Sequence, residues 1–167
     1  ILHVGGTYNN KALAAERFMR NFERLTDPVR SRLVLENDDK CFTAGDVLQI
    51  AKKLQIPMAY DTLHNVVNPC DPNLGDADWI GLCRETWQEK DGPQKIHYSQ
   101  QAPGKSPGSH SESIDPEEFL IFFERVKNME LDIMLEVKDK NLSVLKCVRA
   151  IGLKYGVFGK ADSLSAI

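Results

Sequence analysis

Five short apolar runs, at residues 1–4, 32–36, 57–61, 94–99 and 131–137, recur along the chain at intervals of roughly 25 to 37 residues. The segments between them carry helical periodicity. After Gly5-Gly6, residues 11–25 place Leu13, Phe18, Phe22 and Leu25 near one face. Thr43 is placed to cap a helix holding Val47, Leu48, Ala51 and Leu54, with Asp46 in its first turn. Asp115-Pro116 is a cap followed by an N1 proline, opening a helix with Phe119, Leu120, Phe123 and Val126. Strand alternating with helix predicts an α/β fold with a parallel sheet, because parallel neighbours need a crossover of about a dozen residues or more.

The 167 residues suffice for one ordinary domain with its own core. A net charge of −3 supplies no general basic field, so any contact with nucleic acid must rest on a local patch. Cys41, Cys70, Cys83 and Cys147 form no C-x-x-C pair, which fits neither a zinc finger nor a small disulfide scaffold. A reducing, cytoplasmic setting is therefore expected. No apolar stretch approaches the roughly 18 residues of a membrane span, and no signal-peptide pattern is visible. The chain opens on Ile1 inside an apolar run, as a processed or truncated piece would. Residues 68–78 are irregular, residues 100–113 (QQAPGKSPGSHSES) read as a mobile loop, and signals beyond Cys147 are weak. Loops of that length in a compact domain tend to be functional.

The run MAYDTLHNVVNP carries the main functional clue, because a core strand closes there on Asp61 with His64 three residues on. Every other apolar run does likewise. His3 lies in the first, Glu36 ends the second, His97 lies in the fourth and Glu136 falls at the end of the fifth. Parallel α/β folds place their ligands at the carboxyl ends of strands. A single buried histidine is usually a satisfied core residue, and a strand-end aspartate is often only a helix cap. Five such endings together point to a metal cluster, since carboxylates buried side by side oppose one another's ionisation and a divalent cation relieves that cost. Imidazole with carboxylate suits manganese, zinc or iron rather than calcium. His64 and His110, just past strand ends, are placed to extend the cluster or to lie on the surface. Lys95 shares a strand face with His97, as an ion-pair partner or as a substrate contact. Such a cluster suggests hydrolysis; neither a phosphate loop of the G-x-x-x-x-G-K-[ST] type nor a G-x-S-x-G elbow is present.

Taken in order, LHVGGTY, LENDD, DTLHN, KIHYSQQ, PGSH and LEVKDK make the chain similar to the ultraviolet-damage endonucleases, from Ile1 to about Val148. That resemblance implies a (β/α)₈ TIM barrel and a divalent-metal enzyme, typically with manganese, that cuts the phosphodiester immediately 5′ of ultraviolet lesions in duplex DNA and leaves a 3′-hydroxyl. It implies that His3 and Glu36 serve one metal, that Glu36, Asp61, His97 and Glu136 hold a second with Glu36 bridging, and that His64 and His110 contribute to a third. Lys95 would stand beside the metals as a catalytic group together with Glu36. Lys105, Lys138 and Gln100, with Lys95 and Lys140, are the candidates for DNA contact.

A complete barrel has eight strands in typically ~250 residues. Five strands therefore imply a partial TIM barrel: residues 1–148 the C-terminal part of the endonuclease domain, corresponding to its fourth through eighth strands, and residues 149–167 a tail. Such a piece is expected to be inactive alone, and either to self-associate through its open edges or to remain an open curved sheet covered by helices. The competing readings are an abasic-site endonuclease or sugar isomerase on the same barrel type, and a non-catalytic binding domain.

Overall fold

The computed structural model describes residues 1–156. Within them, five strands form one parallel sheet in the order β1-β2-β3-β4-β5. They are β1 (Leu2–His3), β2 (Leu35–Glu36), β3 (Met58–Asp61), β4 (Gln94–Tyr98) and β5 (Leu131–Leu135). All five expected strands are present, trimmed by a residue or more at most ends.

The helices follow the crossover rule. Between β1 and β2 run α1 (Lys11–Glu23) and the short α2 (Asp27–Arg30); α3 (Ala44–Leu54) returns to β3; α4 (Thr62–Val67) and α5 (Asp76–Arg84) return to β4; α6 (Pro116–Val126) returns to β5; α7 (Asn141–Tyr155) closes the described chain. Two expected caps form. The Thr43 hydroxyl accepts from Asp46 N–H while the Asp46 carboxylate accepts from Thr43 N–H, a reciprocal box that fixes the start of α3. Asp115 accepts from Glu117 N–H, and Pro116 follows as the first helical residue.

Period-two alternation divides the sheet into two faces. Leu35, Met58, Tyr60, Ile96 and Tyr98 turn toward the helices and join Val47, Ala51, Ile80, Phe119 and Phe122 in one core. The opposite face carries His3, Glu36, Asp61 and His97. One expectation on α1 fails: Leu13 is exposed, and Ala14 with Phe22 forms the buried stripe instead.

Two segments are more ordered than their composition suggests. The end of the 68–78 stretch enters α5, whose Trp79, Ile80 and Cys83 are buried. In residues 100–113, Gln101 and His110 form an antiparallel bridge, Ala102 N–H donates to Ser109 O and Ser111 N–H donates to Gln100 O. The loop is thus pinned at its base. α7 continues through Tyr155, and the rest of the expected tail lies outside the described residues. Among the described residues no helix is long and apolar enough to cross a membrane.

Candidate metal centre

Consecutive strands deliver their terminal side chains to one place. Glu36, at the end of β2, sits between two imidazoles: Oε1 is 2.7 Å from His97 Nδ1 and Oε2 is 3.2 Å from His3 Nε2. Glu136, one residue past β5, brings Oε1 to 3.1 Å from the same His97 nitrogen and Oε2 to 3.6 Å from His110 Nε2. Potential ligand atoms of Glu36, Asp61, His97 and Glu136 all lie within 4.8 Å of one another, and so do those of His3, Glu36 and His64. Glu36 belongs to both groups.

Asp61 is a cap and a cluster member at once. It accepts from His64 N–H through Oδ1 at 2.7 Å, starting α4, while its Oδ2 is buried with no partner. His97 Nε2 is likewise buried and unpartnered. An anionic oxygen without a donor, among two further carboxylates, is the arrangement that a cation completes and that otherwise costs free energy. Nitrogen and oxygen donors in this mix suit a first-row transition metal, so the residues present fit one.

The electrostatics agree. Burial pushes the Glu36 carboxyl up, but hydrogen bonds from His3 and His97 and their charge bring it down to about 2. Burial pushes the His97 imidazole down, but hydrogen bonds to Glu136 and Glu36 bring it up to about 10. Asp61 is raised to about 6, chiefly by burial, against the opposing pull of His64. The hydrogen bond to Glu36 raises His3, and the one from His97 lowers Glu136. In the metal-free protein, then, His97 holds a proton between two carboxylates, occupying the role a cation would take.

The remaining sequence candidates divide. His64 joins His3 and Glu36 and stands 6.2 Å, ring centre to ring centre, from His110. Lys95 is not brought to the cluster: its Nζ lies 3.6 Å from Asp132, 3.3 Å from Pro93 O and 5.5 Å from the Trp87 ring centre. Gln100 is buried, with its amide donating to Tyr98 Oη and Asp115 O and accepting from Asp115 N–H. Lys105 and Lys140 are exposed, and Lys138 pairs with Glu112.

Two residues escaped the sequence reading. Asn37 is buried and bonded to both Asp61 and His64, and Asp38 turns the following loop by accepting from the Lys40 and Phe42 N–H groups. Both stood in the LENDD motif, where a turn signal masked them.

A parallel sheet with helices on one face and a carboxylate–imidazole cluster at the carboxyl edge of successive strands defines a partial TIM barrel with a metal-type site at its mouth. The family model for UV-endonuclease UvdE matches residues 1–159. The chain belongs to that family. It is 45% identical over 152 residues to a UV DNA damage endonuclease of Clostridium perfringens, covering 90% of this chain and 37% of that protein. A UV DNA damage endonuclease of Bacillus cereus is 35% identical over 158 residues, with 93% and 49% covered. The crystal structure of SacUVDE superposes with a TM-score of 0.83 at 39% identity, covering 92% of this chain and 50% of that one. The chain thus spans about half or less of the length of these relatives.

Proposed function

We propose that this chain supplies the carboxylate-rich half of the metal site of a DNA-repair endonuclease that cuts immediately 5′ of ultraviolet lesions in duplex DNA. The observation that carries the reading is the four-residue group Glu36, Asp61, His97 and Glu136, with Asp61 Oδ2 and His97 Nε2 buried and unpartnered. These four residues would hold one divalent cation and His3, Glu36 and His64 a second, manganese being favoured, with zinc and iron also compatible with the donors. Such cations supply polarisation of a phosphodiester oxygen and activation of water.

The chain's own residues do the rest. Glu36, ionised far below neutrality, orients His3 and His97 through opposite oxygens. Asp61 and Glu136 complete the negative wall that faces the scissile group. Hydrolysis 5′ of a lesion breaks the P–O3′ bond, water oxygen joins phosphorus, and the leaving 3′-oxygen takes a proton to give the 3′-hydroxyl. Lys105 and Lys140, exposed on segments that follow β4 and β5, would meet backbone phosphates, with Lys138 once released from Glu112. Because β1 and β5 each leave an edge unpaired within the described residues, this stretch by itself is expected to self-associate, and because one cation would have only His3, Glu36 and His64 from it, it is expected to incise irradiated duplex poorly. An intracellular enzyme, working on the nucleoid, accords with this role.

The test is metal content by elemental mass spectrometry. The purified chain should carry about one or more transition-metal ions, and an Asp61→Ala, Glu136→Ala variant that keeps its circular dichroism should lose them. Equal metal in both proteins, or none in the wild type after manganese loading, overturns the site. Robust incision by this stretch alone overturns the expectation of inactivity.

A further inference from the structure

We propose that Asn37 is a positioning residue that fixes the direction of Asp61 and the tautomer of His64, an inference that rests on the metal-site reading above. The β2–β3 ladder pairs Leu35 with Met58 and Glu36 with Ala59 and then stops. The Asn37 side chain takes over. Its Nδ2 donates to Asp61 O at 3.0 Å, and its Oδ1 accepts from Asp61 N–H at 2.9 Å. A primary amide reproduces the donor–acceptor pair of a peptide group; neither a carboxylate nor a hydrocarbon of the same size does. Asp61 is therefore held by both backbone groups at the point where its carboxylate is delivered to the cluster.

The same residue reaches His64 by its main chain. His64 Nδ1 lies 2.9 Å from Asn37 O. A carbonyl oxygen only accepts, so this contact is a hydrogen bond only with the proton on Nδ1. In the neutral ring that leaves the lone pair on Nε2, the state in which an imidazole ligates. Carbonyl partners set metal-ligating histidines in this way, and losing such support typically weakens metal binding by 10- to 100-fold. Asn37 is fully buried at 0% exposure, so contact with substrate does not account for it.

The experiment uses ¹⁵N-labelled, metal-free chain at a pH well above the ordinary imidazole pKa of about 6.5. Two-bond ¹H–¹⁵N spectra report which ring nitrogen of His64 holds the proton. The expected result is a proton on Nδ1 in the wild type. Asn37→Asp, which sets an oxygen against Asp61 O, and Asn37→Ser both keep the main-chain carbonyl but lose the side-chain bridge to Asp61 that holds it against His64 Nδ1, so the tautomers should mix. Manganese binding should weaken by roughly tenfold or more in folded variants. A proton on Nε2 in the wild type overturns the proposal whether or not the variants fold. So does an unchanged tautomer with unchanged manganese affinity in a folded variant. A wild-type chain that takes up no manganese fails the metal reading instead, and the tautomer comparison still decides whether Asn37 orients His64.

Discussion

Metal uptake at this cluster should release protons, and the structure says from where. In the metal-free protein His97 titrates at about 10, because the hydrogen bonds to Glu136 and Glu36 outweigh the effect of its burial. A coordinating imidazole is neutral, so binding must expel that proton. Glu36, at about 2, is already ionised and releases none. One displaced proton raises the apparent affinity tenfold per pH unit, so between pH 7 and 9 manganese should bind about 100-fold more tightly, equivalent to ~2.7 kcal/mol at 1.36 kcal/mol per unit. Below about 6 Asp61 also holds a proton, and the slope should steepen toward two. Calorimetric titration with manganese, in buffers of equal pH but different ionisation enthalpy, counts the protons directly. A buffer-independent enthalpy at pH 8, or a dissociation constant flat from pH 7 to 9, would refute the protonated His97 and with it this account of the cluster.

Asp61→Asn should separate stability from function. Burial raises Asp61 from 3.8 to about 6, so its contribution to stability is present below 3.8 and is lost as pH rises through 6. At pH 8 with chelator the variant should be more stable than wild type by up to ~3 kcal/mol, the gain vanishing in acid, and it should bind manganese poorly; a destabilised variant in a thermal melt contradicts this. For the metal-free wild type, Glu36, lowered from 4.5 to about 2, stabilises above 4.5 and stops doing so as pH falls through 2. His97 stabilises below 6.5 and ceases to as pH rises through about 10. Urea midpoints should therefore fall as pH rises from neutrality through 10, and in acid they should fall only below about 4.5, after the gain from protonating Asp61; a midpoint that rises from pH 7 to 10 speaks against the His97–Glu36 pair. Gly108 has φ +83°, and a Cβ there would lie 2.7 Å from Asp39 Oδ2. Gly108→Ala should cost about 1–3 kcal/mol, and adding Asp39→Ala should recover the clash but not the backbone strain; full recovery in the double variant would show that the left-handed conformation carries no cost.

The sequence by itself determined the strand–helix alternation, the parallel sheet, the caps at Thr43 and Asp115, and the convergence of His3, Glu36, Asp61, His97 and Glu136. These follow from local rules: a two-residue period fixes the face of a strand, and parallel connectivity puts all carboxyl ends on one edge. Tertiary structure decided what depends on height and reach rather than on face. Lys95 shares a face with His97 but lies two residues, roughly 6.6 Å, nearer the amino edge. There its register partner Asp132 and the Trp87 ring claim it. Gln100 looked like a loop residue free for DNA, yet packing turned its amide onto Tyr98 and Asp115. Asn37 looked like part of a turn, yet it carries the β2–β3 pairing one step past the end of the ladder. A linear chain shows which residue types are available. Which polar atoms find partners, and which are left for a cation, is settled only when distant strands are brought within hydrogen-bond distance.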